Sequence, residues 1–482
     1  MPELTTEVIK KRAVGGAAIL TGRNILLQGV SFFSTALLTV FLAPGEFGVF
    51  FIVSAVKNFL AYFGDIGFAA SLIQRREKLT SLELKTVFTA QQVLILLILI
   101  LVLIFTPQVQ RIYSLNQDAV YLLWVLTLSL FFSSLKTIPT VLMERKMEFN
   151  KWVIPQIFET IIFNITAVAL AWKGYGVTSF TVAVFLSGLL GLLITYLIQP
   201  WLPGIAFSIK SFKSVLNFGV PYQANTLLAM VKDDGMTLFL GSILGTSGIG
   251  LLGWAQKWAY APLRFFMDQV IKVTFPAFSR LQDNKKELSD LVSKSLFFIC
   301  LLVFPSLVLL VLTAPSLIEI IPRYEKWSPA LFALSILTIT SALAAVTTPL
   351  TNTLNAVGKI SITFKLMIMW TVLTWILVPP LSWLFGINGA AVGFTIVGLS
   401  SFIALYLVSK YVDINYLQSV GRPLFSTIIM GIFVFFTKNL LPVSIYQIIA
   451  MTAVSLVSYL LVIFMFEPRL VSKILAQFRK KQ

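Results

Sequence analysis

The chain has 482 residues, of which 57% are hydrophobic and 12% charged, with a formal net charge of +17. A soluble domain carries about twice that charged fraction, which excludes a water-soluble globule. The basic excess is scattered through short segments between apolar stretches, which excludes the clustered basic face of a nucleic-acid binder. Histidine is absent and there is one cysteine, Cys300, inside an apolar run. An intramolecular disulfide, a His-based metal site and Ser-His or Cys-His nucleophilic catalysis are therefore excluded. The N-terminus, MPELTTEVIKKR, has no apolar stretch ahead of a cleavage site. No cleavable signal peptide is expected, and the first span directs insertion.

A hydrocarbon core about 30 Å thick is crossed by about 20 apolar residues in a helix. By that measure the chain reads as an all-α polytopic membrane protein of about fourteen spans: 17–42, 46–73, 84–106, 118–142, 152–173, 176–200, 217–244, 247–274, 292–314, 328–355, 360–384, 388–410, 420–441 and 444–466. Several begin or end at Gly or Pro, as chain punctuation requires. Connections are short, so consecutive helices run antiparallel. The longest polar stretches, around 75–85, 143–151 and 279–294, read as elbows.

Loop charge sets the orientation. With the N-terminus inside, 24 of the 37 Lys and Arg residues fall in inside segments and 5 in outside loops, the other eight lying within spans. Both termini are expected in the cytoplasm, with a basic C-terminal tail. A weak internal repeat aligns VFLAPGEFGVF (40–50) with SILGTSGIGLL (242–252), which superposes Gly48 on Gly250. Each is followed, one helix later, by a polar elbow, at 71–85 and 278–294. The expected organisation is a lobe at 1–200 (spans 1–6), a linker at 201–216, a second lobe at 217–410 (spans 7–12), and two trailing spans with the tail at 411–482.

Charged side chains within spans cost at least ~2.5–3.5 kcal/mol each at the bilayer centre and mark protein interiors or wet cavities. Here they are Arg23, Lys57, Asp65, Lys136, Glu159, Lys232, Asp233, Asp234, Lys257, Arg264, Asp268, Lys272 and Lys365, a net cationic set. Lys257, Arg264, Asp268 and Lys272 recur at steps of seven, four and four on one helical face, and Lys57 and Asp65 share a face eight apart. Arg264 and Asp268 are spaced for an i,i+4 ion pair. The expected substrate cavity is lined by Arg23, Lys57, Lys136, Lys232, Lys257 and Arg264, basic groups suited to a phosphate or pyrophosphate. Asp65, Glu159, Asp233 and Asp268 are the candidates for coupling H⁺ or Na⁺. Trp254, Trp258 and Tyr260 flank Lys257 and offer aromatic faces to a sugar or a cation. There is no GxxxxGK(S/T) phosphate loop and no metal-ligand cluster in the sequence, so no cofactor, no metal and no enzymatic activity are expected.

The stretches LAPGEFGVF (42–50), DIGFAASLIQRREKLT (65–80), MERKMEFNKW (143–152), NFGVPYQANTLL (217–228), FPAFSRLQDNKKEL (275–288) and KWSPA (326–330) occur together, spread over roughly residues 15–410. In these the chain resembles bacterial polysaccharide flippases, of the exopolysaccharide and teichuronic-acid type, in the multidrug/oligosaccharidyl-lipid/polysaccharide exporter superfamily. The last two spans carry no matching motif. The resemblance implies two six-helix lobes around a V-shaped central cavity plus two added helices. It also implies alternating access that moves a polyprenyl-pyrophosphate-linked oligosaccharide from the cytoplasmic to the external leaflet of a bacterial inner membrane. Partners implied are the lipid-linked oligosaccharide, membrane lipid, H⁺ or Na⁺, and polysaccharide polymerase machinery. The alternatives are an ion-coupled multidrug antiporter or a lipid II flippase of the same superfamily, and a membrane glycan polymerase, which the short loops and missing histidine disfavour.

Overall fold

A computed structural model describes residues 6–75 and 77–466 of the chain. Arg76 and the tail at 467–482, with Arg469, Lys473, Arg479, Lys480 and Lys481, lie outside the described residues, as do the side chains of Lys10, Lys11 and Arg12. Helices account for nearly all of the described chain. They are α1 (Thr6–Phe41), α2 (Pro44–Gly64), α3 (Phe68–Gln74), α4 (Ser81–Tyr113), α5 (Gln117–Arg145), α6 (Phe149–Trp172) and α7 (Thr178–Ile198). There follow α8 (Ile209–Arg280), α9 (Lys285–Ile320), α10 (Leu331–Ala356), α11 (Ile360–Leu399), α12 (Ser401–Ser409), α13 (Arg422–Leu440) and α14 (Ile445–Phe466).

Local chemistry explains where they start. Pro44 opens α2 at a position where its missing N–H costs nothing, and the Glu46 carboxylate accepts from the Ala43 amide at 2.6 Å. Thr80 and Glu83 form a reciprocal capping box at α4, while Asn116 and Asn284 cap α5 and α9.

Among the described residues, 12 helical segments are long and apolar enough to cross a bilayer. Two of them are helical hairpins: α8, 72 residues long, turns at Gly245 (φ 67°), and α11 turns at Gly386 (φ 60°). A straight helix of 72 residues would run about 108 Å at about 1.5 Å per residue, several bilayer thicknesses. Each hairpin crosses twice, which restores fourteen crossings close to the predicted bounds. Span 2 is interrupted at 65–67, so that α3 is a separate short helix.

The chain divides into two compact units, Met1–Gly250 and Leu251–Gln482. In unit 1, α5 is central, with α2, α4, α6 and α7 against it and α1 on α6. α8 meets the segment from α2 to α3 at two backbone crossings that only glycine permits, one just past the Gly245 turn and one in the first arm (209–244). A Cβ on Gly48 would collide with the Thr246 carbonyl and the Gly250 amide. Gly67, at φ 74°, would meet the Gly219 backbone in the same way. The two glycines aligned in the sequence repeat, Gly48 and Gly250, thus touch each other. In unit 2, the second arm of α8 contributes Leu263, Met267 and Phe278 to a core with α9, α10 and α12. The trailing helices α13 and α14 pack on α9, where the Tyr459 hydroxyl donates to the Leu301 carbonyl at 2.9 Å.

Polar groups inside the helices are consumed locally. Thr86, Thr106, Thr127 and Thr353 are buried and donate to the carbonyl four residues earlier, as hydroxyls in apolar surroundings must. The opposite faces carry exposed apolar side chains, such as Leu96, Leu97, Ile100, Leu103 and Ile104 on α4. Such a surface is stable against lipid and not against water.

Candidate functional site

Unit 1 holds two polar networks built from the charged residues within its spans. The first sits at the end of the unit where α5 turns into α6. On α5, Ser133, Lys136, Thr140 and Glu144 recur at steps of three and four; on α6, Trp152, Gln156 and Glu159 do the same, so each set shares a helical face. These faces line a cavity of about 290 Å³, completed by Ala69 and Ile73 of α3 and Thr195 of α7. Lys136 and Glu159 form an ion pair across it, their side chains 14% and 28% exposed. Arg23 on α1 donates to the Gln156 amide oxygen, and its guanidinium lies 5.5 Å from the Trp152 ring centroid. Gly191 on α7 makes room for Glu159: a Cβ there would strike its carboxyl group.

The second network joins α2 to the first arm of α8. The Asn58 amide donates to Asp234 at 3.1 Å, and Lys57, half-buried one residue earlier, lies within electrostatic reach of the same carboxylate. Lys232 pairs with its neighbour Asp233, whose side chain is 66% exposed. Towards the end of α2, Asp65 acts on the backbone. Its carboxylate accepts from the Phe68 and Ala69 amides at 2.9 and 3.4 Å and so starts α3, while its carbonyl accepts from the Gln223 side chain at 2.7 Å.

In unit 2, Lys257, Arg264 and Lys272 are exposed along the second arm of α8, with Asp268 half-buried among them. Arg264 and Asp268 attract each other electrostatically without closing into the ion pair that their spacing allowed, each remaining a separate group. The aromatic residues near Lys257 are not all available to a ligand. Trp254 is 5% exposed and stacks on Trp327, ring centroids 5.3 Å apart and planes 12° from parallel, with Tyr324 at its edge. The KWSPA stretch therefore builds core through the fully buried Trp327.

Of the expected cationic set, the structure thus places Lys136 on the cavity, with Glu159 as its counter-charge, and sets Arg23 against two of the lining residues, Gln156 and Trp152. Lys57 and Lys232 stand with the aspartates of α8. Gln156, Trp152, Asn58 and Gly191 were not singled out in the sequence. The signal for the first two was present, since Trp152, Gln156 and Glu159 are spaced four and three apart on one face.

A family profile described as "Polysaccharide biosynthesis protein" matches residues 37–331. The chain is 24% identical over 405 residues to the lipopolysaccharide biosynthesis protein WzxC of Escherichia coli (strain K12), covering 83% of this chain and 81% of that one. It is 23% identical over 473 residues to the succinoglycan biosynthesis transport protein ExoT of Rhizobium meliloti (strain 1021), covering 94% and 93%. Among solved structures, the lipid II flippase MurJ in an inward closed conformation superposes with a TM-score of 0.76 at 17% identity, over 93% of this chain and 100% of that one. An inward-facing MATE-family multidrug resistance transporter of the MOP superfamily gives 0.62 at 15% identity, over 80% and 95%. At these identities the structural likeness shows a shared transporter fold.

Proposed function

The chain belongs to the polysaccharide biosynthesis protein family, and from that premise we propose that it is a flippase. It moves a polyprenyl-pyrophosphate-linked oligosaccharide, the repeat unit of a polysaccharide, from the cytoplasmic to the external leaflet of a bacterial inner membrane by alternating access. The observation that carries this reading is the match to a succinoglycan biosynthesis transport protein along 94% of the chain, in a molecule with the fold of the MurJ flippase.

The physical problem is to pass a hydrated glycan and a pyrophosphate through about 30 Å of hydrocarbon while the polyprenyl tail stays in lipid. Basic groups held within spans offset the desolvation of the pyrophosphate. We assign that part to Lys257 and Arg264, exposed along one face of α8, while Lys57 and Lys232 stand beside Asp234 and Asp233. The rocking bodies are taken as 1–200 and 217–410, linked by 201–216, with 411–482 trailing, and both termini in the cytoplasm. Coupling to H⁺ or Na⁺ falls to the carboxylates on α8, each beside a basic group: Asp233 at Lys232, Asp234 near Lys57 and Asp268 near Arg264. The Asp65 carboxylate is held by amides and that of Glu159 by Lys136. The reading makes the protein a transporter without catalytic residues.

Export in cells tests it. Lys257→Ala and Arg264→Ala should abolish polymer at the surface and accumulate the lipid-linked repeat unit inside, with protein in the membrane at wild-type level. Normal export by both variants at that level would remove these residues from the path.

A further inference from the structure

The cavity between α5, α6, α3 and α7 lies inside unit 1, and its chemistry differs from that of a phosphate site. A pyrophosphate needs cations that no protein charge has already neutralised. Here the Lys136 ammonium is bound by the Glu159 carboxylate, and Glu144 adds a second negative charge to the lining. The Arg23 guanidinium is directed to the Gln156 oxygen and the Trp152 ring. What the cavity offers is a dense mixture of donors and acceptors with no net positive charge.

The donors are specific. Gln156 uses its oxygen on Arg23, which leaves its amide nitrogen to donate. The Trp152 indole N–H is buried and has no hydrogen-bond partner among the described residues, although it borders the cavity. A buried donor left unmet is costly and rare, and a ligand oxygen in the cavity would meet it. The acceptors are the carboxylates of Glu159 and Glu144; the Ser133 and Thr140 hydroxyls on the walls can donate or accept, while Thr137 and Thr195, which donate to the Ser133 and Gly191 carbonyls, can only accept. The volume, about 290 Å³, lies just below the range of about 300–1,000 Å³ for small-molecule sites. That is the size of a site for one sugar ring.

We propose that this cavity binds a single neutral pyranose of the glycan, with Glu159, Gln156 and Trp152 bonding to its hydroxyls and Lys136 holding Glu159 in place. The proposal rests on the flippase reading and gives that reading a sugar-recognising site apart from the basic groups assigned to the pyrophosphate. Gly191 is a positioning residue: by lacking a side chain it lets Glu159 reach across to Lys136.

The test uses the full chain in lipid nanodiscs and a panel of methyl pyranosides (gluco, galacto and manno), with binding read by saturation-transfer NMR titration. Wild type should bind at least one pyranoside, and inorganic pyrophosphate should not displace it. Gly191→Ala, which retains every polar group, and the double variant Lys136→Met/Glu159→Gln should each weaken it at least about tenfold, equivalent to about 1.4 kcal/mol. Thr140→Val, which leaves the ion pair and the backbone alone, should weaken it about threefold, and it keeps the test open where a variant at the pair fails to fold. Absence of pyranoside binding to wild type, equal binding by all variants that fold, or displacement by pyrophosphate would each overturn the proposal. Flipping of a polyprenyl-pyrophosphate-linked saccharide by the same preparation separates the two ideas. Flipping with pyranoside binding that the variants leave unchanged overturns the pocket and leaves the flippase. Variant-sensitive binding with no flipping upholds the pocket and overturns the flippase.

Discussion

Removing the cation of the Lys136–Glu159 pair tests whether the two groups act as a unit. In Lys136→Met the Glu159 carboxylate loses its counter-charge among hydroxyls, Gln156 and Glu144. Breaking a fully buried pair by deleting one partner costs about 3–5 kcal/mol, whereas replacing both charges is often neutral. With side chains 14% and 28% exposed, water still reaches part of the pair, so the lower end applies, about 3 kcal/mol. Glu159→Gln should cost about 2 kcal/mol, because an amide oxygen still accepts from Lys136. The double variant should cost about 1 kcal/mol, leaving a coupling of about 4 kcal/mol between the sites. At about 2–4 °C per kcal/mol for a unit of this size, Lys136→Met should melt about 6–12 °C below wild type in detergent. The double variant should fall within about 4 °C of wild type. Single losses that simply add in the double variant would refute the reasoning, since they would mean that neither charge neutralises the other.

Other expectations follow from the same geometry. Gly67→Ala must hold alanine at a positive φ, about 1–2 kcal/mol, and also drive a methyl group into the Gly219 backbone; a melting point lower by at least about 5 °C, or loss of folded protein, is expected on size-exclusion chromatography. Trp327→Ala empties the stack with Trp254 and should cost about 3–5 kcal/mol in thermal unfolding. Asp65→Asn keeps an oxygen for the Phe68 amide and should retain export within about twofold, while Asp65→Ala loses the cap, about 1 kcal/mol of stability. Asp234→Asn should fold normally and blunt the response of transport to an imposed H⁺ or Na⁺ gradient; an unchanged gradient response would exclude Asp234 from coupling.

The helices were legible because lipid imposes a length on each apolar stretch and forbids irregular backbone there. The breaks at Gly245 and Gly386 were legible for the same reason, since an apolar run twice the bilayer thickness must turn, and glycine marks the place. The ends were less so: α9 begins at Lys285, seven residues before its apolar run, since Asn284 caps it in the polar elbow. The charged residues were identifiable as a set, but not by role. Lys136 and Glu159 are 23 residues apart on different helices, and no periodicity within one helix joins them. Asp65 reads as an in-membrane acid because its use as the starter of α3 depends on a helix break that the apolar pattern runs through. Trp254 lost its place as a sugar platform to Trp327, a partner more than seventy positions away in the chain.

Flipping in a defined bilayer is the most direct measurement. The purified protein is reconstituted in liposomes with a fluorescent polyprenyl-pyrophosphate oligosaccharide in both leaflets, and an impermeant quencher is added outside under H⁺ or Na⁺ gradients. The account predicts that the quench-protected fraction falls with wild-type protein, stays near the protein-free level with Arg264→Ala, and responds to one of the gradients. Protection that stays at the protein-free level with wild-type protein, under either gradient, would contradict it.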